Sequence, residues 1–299
     1  MSRLWLPVRL LALAASLICW TVLWLVARLR TLLGRPRPRC VALYYHAVRT
    51  DERESFAWQM EELLRLARPL AADATELPDG GDGLYAMVTF DDGFRCVAEN
   101  AVPELVRRGI PAALFVTAGC LGGTPPWLAG GSHPDAGERL LDVDDLRLLP
   151  RDIRVGSHSL DHVRLSSLHE DEIRRQLIES RARLEHITGR PVELLSAPHG
   201  DYNVRVLDLA REAGYSRVFT VSPELACLDE GRLCYGRFPV SPRDWRIEFR
   251  LKLRGAYCWL PAGSVLKRSL YEWLERRRAR RAAKAGRMGR TGACSGKST

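Results

Sequence analysis

The sequence lacks zinc-finger spacing and requires no disulfide, although Cys227 and Cys234 could bridge a loop. Its eight cysteines are spread along 299 residues, none forms a CxxC pair, and zinc-finger spacing is absent. No internal repeat is present either. Apolar residues make up 46% of the chain and charged residues 27%, which allows a sizeable core and excludes overall disorder. The length suits one large domain with accessory segments, and a single α/β barrel would use most of it.

Acidic residues are missing from the first 39 positions, which carry seven Arg. Residues 267–299 are nearly as one-sided, with eleven Lys or Arg against two Glu. Residues 40–266 therefore hold 27 of the 45 basic and 34 of the 36 acidic residues, a net charge of −7. A nucleic-acid groove needs positive charge on the folded domain, so we expect no nucleic-acid partner. Basic ends fit attraction to anionic lipid headgroups, and a solvated basic tail is the alternative for the C-terminal run.

The run from Leu10 to Ala27 contains eighteen residues without a charge, about the minimum for a membrane-spanning helix. A cleaved signal peptide is the alternative, but an AxA-like site should then follow, and the basic stretch RLRTLLGRPRPR follows instead. We therefore expect an uncleaved, single-pass N-terminal transmembrane helix in the cell (inner) membrane. Two Arg precede the run and five follow it, which favours a cytoplasmic catalytic part by the positive-inside rule.

Short apolar runs alternate with helical patterns along the middle of the chain. The predicted strands are 40–45, 84–90, 112–117, 153–156, 193–196 and 216–221. The predicted helices are 55–69, 96–108, 142–149, 170–187 and 203–213. This alternation predicts an α/β fold with a parallel sheet or barrel. The Gly- and Pro-rich stretch 120–137 is expected to be a long surface loop of the kind that lines substrate grooves.

Two adjacent carboxylates, Asp91 and Asp92, follow the predicted strand 84–90 within the motif TFDDGF. Like charges raise each other's pKa, and a bound cation removes that cost. Successive side chains diverge, so one Asp can bind a metal while the other stays free. Taken alone, the motif fits a solvated turn equally well.

Two imidazoles, His158 and His162, follow the predicted strand 153–156 within HSLDH. Positions i and i+4 share one face of a helical turn, and imidazole is a favoured ligand of zinc and its neighbours. Two His on a surface turn would give the same pattern.

Two further His also follow predicted strands: His199 in SAPHG and His46 in YYH. A lone His is more often structural than catalytic. However, all four sites lie just past the carboxyl end of a predicted strand, and these ends meet on one face of a parallel β/α barrel. We expect the side chains to converge in one pocket. An Asp-His-His set there gives three ligands and leaves one position open for water, as in catalytic zinc sites.

The motifs TFDDGF, HSLDH and APHG, in this order and spacing, resemble those of the polysaccharide deacetylases, the NodB-homology or carbohydrate esterase 4 group. The resemblance covers roughly residues 40–240. It implies a distorted (β/α) barrel of about seven strands, a variant of the eight-stranded architecture. It also implies hydrolysis of N-acetyl, or sometimes O-acetyl, groups on amino-sugar glycans.

Motif by motif, the resemblance also implies roles. Asp91 would be the general base, and one divalent metal would be bound by Asp92, His158 and His162. This metal is expected to be Zn²⁺, with Co²⁺, Ni²⁺ or Mn²⁺ as alternatives. Pro198 and His199 would line the substrate, and the backbone N–H of His199 would help form the oxyanion hole.

The chain departs from the family pattern at two points. The third motif commonly begins with an Arg that holds the base Asp, and Ser196 occupies that position here. The acid His usually lies near the C-terminal end of the domain, but no His follows His199. The motif Tyr44-Tyr45-His46 resembles the permuted branch typified by poly-N-acetylglucosamine deacetylases, which implies His46 as the catalytic acid. The group that orients Asp91 in place of the Arg stays open.

The implied function is a metal-dependent N-deacetylase that hydrolyses acetamido groups of an amino-sugar glycan. A deacylase or deformylase of a lipid-linked sugar at the membrane is one alternative, suggested by the anchor and the basic ends. A catalytically inactive glycan-binding barrel is another. Besides the sugar substrate, the membrane is the expected partner. The side of the membrane stays open, because the family resemblance favours a periplasmic catalytic domain and the charge distribution favours a cytoplasmic one.

Four segments are expected along the chain. A membrane anchor with a basic juxtamembrane linker covers 1–39, and the deacetylase domain covers 40–243. An amphipathic basic helical segment covers 244–285, and a flexible tail covers 286–299. Within the third segment, Trp and Arg residues fit helices lying on the membrane or helices packed on the barrel equally well.

Overall fold

A parallel sheet of nine strands forms the centre of the computed structural model, which describes residues 5–35, 37–77, 83–226 and 232–260. The strands are β1 (Arg39–Tyr45), β2 (Arg68–Pro69), β3 (Leu84–Phe90), β4 (Ala112–Val116), β5 (Ile153–Ser157), β6 (Leu194–Ser196), β7 (Arg217–Phe219), β8 (Cys234–Tyr235) and β9 (Phe238–Pro239). They lie in the order β8-β7-β6-β5-β4-β3-β1-β9, and β2 pairs with β3. Because every pairing is parallel, all carboxyl ends lie on one side of the sheet.

The two strands at the ends of this order are neighbours in the sequence. Only Gly236 and Arg237 separate β8 from β9. Such a link spans at most about 11 Å, so the two edges of the sheet lie close together. The sheet therefore curls into the distorted barrel that the sequence predicts, and the side chain of Arg237 is fully buried at the junction.

Seven α-helices accompany the sheet in the described ranges. They are α1 (Trp5–Leu32), α2 (Arg53–Leu66), α3 (Val102–Arg107), α4 (Val143–Leu148), α5 (Glu170–Thr188), α6 (Val204–Glu212) and α7 (Arg246–Leu253). Local chemistry sets several of their ends. The Asp142 carboxylate caps α4 by accepting from the N–H groups of Asp144 and Asp145. Helix α5 begins with three acidic residues, which suit its N-terminal dipole, and ends at Gly189 with φ +63°.

Strands β1 and β3 are apolar because helices or opposite strands cover both of their faces. Val41, Ala42 and Leu43 of β1 have no exposed surface, and the middle of β3 is equally buried. Aromatic rings from β4 and β7 fill the barrel interior, where the rings of Phe115 and Phe219 lie 5.4 Å apart. This buried, aromatic interior ends at the carboxyl edge of the sheet, where the polar residues begin.

The six predicted strands are confirmed within one or two residues at each end. No sequence pattern indicates β2, β8 or β9, because strands of two residues are too short to form an alternating or continuous apolar pattern. The predicted helix 96–108 begins instead as a π-helical stretch, Val97–Ala101, and continues as α3 with Pro103 in its first turn. The π-helix is rare and occurs mostly as a single-turn bulge of this kind within an α-helical segment.

The two segments outside the predicted barrel also differ from each other. The stretch Leu6–Leu32 of α1 contains an 18-residue window with a mean hydropathy of 2.3 and is long and apolar enough to cross a membrane. The chain divides into two compact units, Met1–Cys258 and Trp259–Thr299, and α7 belongs to the first of them. Residues 261–285 of the predicted helical segment 244–285 and the whole predicted tail 286–299 lie outside the described residues. Their structure and the boundary at 243 stay predictions.

Candidate active site

A cavity of about 580 Å³ opens at the carboxyl edge of the sheet. The residues that follow β1, β3, β5 and β6 line it, together with the loop 126–135 and residues 240–243. All seven residues that the sequence singles out lie in or directly beside this cavity: His46, Asp91, Asp92, His158, His162, Pro198 and His199. The expected convergence of the four motifs is therefore a feature of the fold.

Three buried side chains form a cluster of metal-ligand type. One ligand atom each from Asp92, His158 and His162 lies within 4.8 Å of the other two. The Oδ1 atom of Asp92 is 3.4 Å from Nε2 of His158 and 3.2 Å from Nε2 of His162. Among the described residues, this is the only group of His, Cys, Asp and Glu with such geometry.

The loops that carry these side chains have unusual backbone conformations. Within the described ranges, the non-glycine residues with positive φ are Asp92, Ser159, His162 and His199. All four belong to the motifs at the cavity. Positive φ is unfavourable for residues with a Cβ and tends to occur at functional sites, where the surroundings hold the strain. Gly93, at φ +80°, completes the Asp-Asp-Gly turn, and a Cβ there would meet the backbone of Val116 at 3.2 Å.

The predicted helical turn between His158 and His162 is wrong. The segment after β5 is a non-helical loop, with φ +62° at Ser159 and +55° at His162. Serine hydroxyls hold it: the N–H of Ser159 donates to Oγ of Ser157, and the N–H of His162 donates to Oγ of Ser159, both at 3.1 Å. Such side-chain bonds to nearby N–H groups compete with a helical turn. The loop still brings both imidazoles to the same carboxylate.

The two imidazoles are oriented by different contacts. The Nδ1 atom of His158 lies 2.8 Å from the carbonyl oxygen of Ser196, which leaves Nε2 free to face Asp92. The Nδ1 atom of His162 is buried and has no hydrogen-bond partner in the described part of the chain. Instead, the indole of Trp127 stacks on the His162 ring, with a centroid distance of 4.0 Å and an angle of 14°.

Electrostatics within the cluster favour an ionised carboxylate. Burial alone would raise the pKa of Asp92, but hydrogen bonds from His158 and His162 outweigh it and hold the pKa below its ordinary value. Burial lowers the pKa of His162, so this imidazole stays neutral more readily. Burial also acts on His158, but the contacts with Asp92 and Asp91 outweigh it and raise the pKa of that imidazole. An anionic carboxylate and neutral imidazole are the protonation states that bind a divalent metal. With three ligands of N and O type, the cluster fits a catalytic metal such as zinc.

The other carboxylate of the pair, Asp91, is held by Arg237. The guanidinium donates from Nη1 to Oδ1 of Asp91 at 2.7 Å and from Nη2 to Oδ2 at 2.8 Å. The remaining N–H groups donate to the side chain of Thr89, the side chain of Ser196 and the carbonyl of Thr220. All five donors of the guanidinium are therefore used, and the ion pair is bidentate.

Arg237 is therefore the group that orients Asp91 in place of the Arg that the family pattern has at the position of Ser196. The Ser196 hydroxyl accepts from Nη2 of Arg237 at 2.7 Å, so the position that holds an Arg in the family pattern contacts an Arg from elsewhere. That Arg comes from the link between β8 and β9. No motif predicts a role for Arg237, although one signal is present: it lies between the apolar residues Tyr235 and Phe238. A cation in an apolar run is expected to be buried and paired.

The guanidinium also sets the charge state of Asp91. Burial raises the pKa of this carboxyl, but the charge and hydrogen bonds of Arg237 outweigh burial, so the pKa lies below its usual range. The aromatic ring of Tyr44 lies under the guanidinium, 4.7 Å from its carbon, and helps to exclude water. Asp91 is thus a buried, ionised and fixed carboxylate at the cavity wall.

His46 is exposed and lines the cavity, unlike the buried His158 and His162. Its ring lies edge-on to that of Tyr44, with centroids 5.7 Å apart. His199 follows β6, and the centroid of its ring lies 4.7 Å from that of His162. In the 3₁₀ turn Pro198–Gly200, the N–H groups of Gly200 and Asp201 donate to backbone carbonyls, and that of His199 has no acceptor among the described residues.

The loop 120–137 lines the cavity, as predicted, and ion pairs fix it there. The buried carboxylate of Asp135 pairs with Arg49, which also bonds to Glu52 at 2.7 Å. Arg243 reaches the same Glu52 from the other side of the mouth at 2.6 Å. The loop therefore presents Trp127 to the cluster from a fixed position.

The chain is similar in sequence to known proteins over the region that contains most of these site residues. The sequence model of the family described as polysaccharide deacetylase matches residues 81–218. This range contains Asp91, Asp92, His158, His162 and His199, but neither His46 nor Arg237. The curated Bacillus subtilis protein YxkH is 26% identical over 156 residues, which cover 52% of this chain. They cover 51% of YxkH, so the chain spans about half the length of that relative.

Solved structures extend the likeness to the fold. IcaB from Ammonifex degensii is 24% identical, with a TM-score of 0.61 over 73% of this chain and 98% of IcaB. The Streptococcus pyogenes deacetylase PplD, solved in complex with acetate, is 18% identical, with a TM-score of 0.57 over 69% of this chain and 95% of PplD. At these identities the structures support the curled parallel sheet. With the matched motifs, residues 81–218 form a domain of the polysaccharide deacetylase type, the NodB-homology or carbohydrate esterase 4 group.

Proposed function

We propose that this chain is a metal-dependent N-deacetylase that hydrolyses acetamido groups of an amino-sugar glycan. One observation carries the proposal: a buried carboxylate, Asp91, is fixed by Arg237 beside a converged cluster of metal-ligand type. A base next to a metal site is the arrangement that hydrolysis of an acyl group needs. Membership of a family of hydrolases supports the same conclusion.

The metal would be one divalent ion, Zn²⁺ first and Co²⁺, Ni²⁺ or Mn²⁺ as alternatives, bound by Asp92, His158 and His162. When bound, a metal of this kind polarises an acyl oxygen and acidifies water. The contact of His158 with the carbonyl of Ser196 supports this assignment, because it directs Nε2 toward the metal position.

Asp91 would act as the general base. Its carboxylate takes a proton from the water molecule that attacks the acyl carbon, and its ionised state at neutral pH follows from the contact with Arg237. The bidentate pair also holds both oxygens still, so the base needs no reorientation during the reaction. Loss of this role should cost about 10²–10⁴-fold in rate.

His46 would act as the general acid. An amine leaves poorly without a proton, and His46 is the exposed imidazole on the cavity wall beside Asp91. The His199 N–H would donate to the developing oxyanion, because it is free of a backbone acceptor in the described chain. Pro198 fixes the turn that aims this N–H.

The deciding experiment measures acetate release from acetylated amino-sugar oligomers by the full chain loaded with each of the four metals. We expect release by wild type and a loss of about 10²-fold or more in Asp91→Asn. Asp161→Asn is the matched control, because Asp161 lies within HSLDH but contacts Arg175 and Gln176 outside the cluster. No release by any metal-loaded form would favour the inactive glycan-binding barrel.

A deacylase or deformylase of a lipid-linked sugar is the second candidate. The observation that favours it is the contact of α1, an apolar helix, with α7, which directly follows the cavity wall 240–243. Parallel assays on lipid-linked acylated sugars and on soluble oligomers separate the two. Faster turnover of the lipid-linked form would favour this candidate.

A further inference from the structure

Helix α1 packs on the catalytic domain along one face. The residues of this face recur every three or four positions, which is the spacing of one helical stripe: Arg9, Leu13, Ser16, Trp20 and Leu23. Leu13 and Ser16 are buried, at 7% and 0% exposure. The face is thus a packing surface, and the rest of the helix is not.

Specific contacts hold this face to α7 and the residues after it. Nε of Arg9 donates to Oε2 of Glu248 at 3.0 Å, and its guanidinium lies 4.1 Å from the ring of Trp245. About two turns after Arg9, Ser16 bonds to the hydroxyl of Tyr257. The thiols of Cys19 and Cys258 lie 3.6 Å apart. The contacts therefore extend over the first half of the helix.

The helix runs antiparallel to the strands of the barrel. Its first turns contact Trp245 and Glu248, close to the cavity wall 240–243. Its last turns border a second cavity of about 360 Å³ at the amino ends of β1 and β3, lined by Arg30, Arg39 and Leu84. The N-terminal end of α1 is therefore at the active-site end of the barrel.

The opposite face of α1 is apolar and exposed along its whole length. Its large side chains with more than half of their surface exposed are Leu6, Val8, Leu10, Leu11, Ile18, Val22, Leu25, Leu29 and Leu32. A face of this size needs an apolar environment. Lipid is the occupant that the chain's charges suit, because Arg28 and Arg30 in the last turns of α1 and Arg37 just after it bear no carboxylate partner among the described residues.

These two faces are incompatible with an upright span. The docked half of α1 contacts charged residues of the domain, including Glu248 and Arg254. An upright helix would carry these partners into the hydrocarbon core, where charged groups are costly. We propose that α1 is an in-plane membrane helix, docked on α7 by one face and immersed in lipid by the other, which seats the active-site cavity beside the bilayer surface.

A chain of ion pairs links the docked helix to the cavity wall. Glu248, the partner of Arg9, also pairs with Lys252 at 3.3 Å. Lys252 pairs with Asp244 at 2.7 Å, and the same Asp244 oxygen accepts from the N–H of Ser241 at 3.1 Å. Ser241 lines the cavity. Membrane docking of α1 thus supports the residues at the mouth of the active site.

The first test asks on which side of the membrane the two chain ends lie. The full chain carries one peptide tag before Met1 and another after Thr299, and protease is added to intact spheroplasts and to inverted vesicles. An in-plane α1 leaves both tags on the same side, so they are digested together. Digestion of the two tags from opposite sides would establish an upright span and overturn the proposal.

The second test traps the docked state in native membranes. Diamide treatment of wild type should link Cys19 to Cys258 within one chain, detected as a linked peptide by mass spectrometry. The matched control is Cys19→Ser with Ile18→Cys, which moves the thiol to the exposed face. Absence of the wild-type link, or equal linking in the control, would overturn docking. Linking of Ile18→Cys between two chains would identify a second copy on the apolar face and exclude lipid there.

Discussion

The guanidinium of Arg237 binds both oxygens of Asp91. Arg237 lies in the link between β8 and β9, the two edge strands of the curled sheet. The residue that closes the barrel is therefore also the residue that fixes Asp91, the carboxylate that we propose as the base. Because Arg237 has no exposed surface and uses all five of its donors, the pair is sensitive to any change on either side.

Replacement of Arg237 by Gln should lower kcat by about 10²-fold or more and change the pH profile. With Arg237 present, the folded-state pKa of Asp91 lies below its ordinary value, so the base stays ionised as pH falls. Without the guanidinium, burial dominates and raises that pKa. The acid limb of kcat should therefore move to higher pH, which kcat measurements from about pH 4 to 9 would detect.

Arg237→Lys is the conservative companion variant, since it keeps the charge but loses the bidentate geometry. We expect a smaller shift of the acid limb than in Arg237→Gln. Arg232→Gln is the control for loss of an Arg near β8, because its guanidinium bonds to the carbonyl of Cys234 away from the cavity. An unchanged acid limb in a folded Arg237→Gln protein would refute the role given to this pair.

The contrast between Asp92 and Arg237 explains what the sequence could and could not predict. Asp92, His158 and His162 lie directly after strands with clear apolar patterns, and parallel strands bring such positions together. Arg237 lies between two strands of two residues each, which produce no periodicity. Its partnership with Asp91 spans 146 positions and depends on the curl of the sheet. Long-range closure of this kind leaves no local pattern.

Contacts that no local pattern predicts also determine the structure of α1 and of the loop after β5. The apolar run predicted a membrane helix, but its stripe of contacts with α7 depends on where the barrel ends. In the loop, the i, i+4 spacing of two His suggested a helical turn. Instead, the loop is held by N–H bonds to serine hydroxyls, and Ser159 and His162 have positive φ. Spacing alone does not distinguish these conformations.

Asp92→Asn should abolish metal binding and leave the fold intact. The substitution removes the anionic ligand and keeps a side chain of equal size, while both imidazoles stay in position. Metal content per chain, measured by mass spectrometry after dialysis, should fall from one divalent ion to a trace. Asp161→Asn should retain its metal, since that carboxylate contacts Arg175 and Gln176. Full metal content in Asp92→Asn would exclude this ligand set.

Trp127→Ala should weaken metal binding about tenfold although Trp127 is not a ligand. The His162 ring has no hydrogen bond at Nδ1 in the described structure, so its orientation depends on the stacked indole at 4.0 Å. Competition with a chelator would measure the change in Kd for the metal. Trp127→Phe, which keeps a stacking ring, should recover most of the affinity. Equal Kd values for wild type and Trp127→Ala would contradict the orienting role.

His46→Ala should lower kcat for N-acetyl substrates by about 10²–10⁴-fold but have much less effect on an activated ester such as 4-nitrophenyl acetate. An amine needs a proton in order to leave, whereas 4-nitrophenolate leaves without one. His133→Ala is the matched control, because His133 also lines the cavity but lies on the loop rather than beside Asp91. Because His46 is exposed, its loss leaves the packed core unchanged. Equal losses on the amide and the ester would assign His46 to substrate binding instead of proton donation.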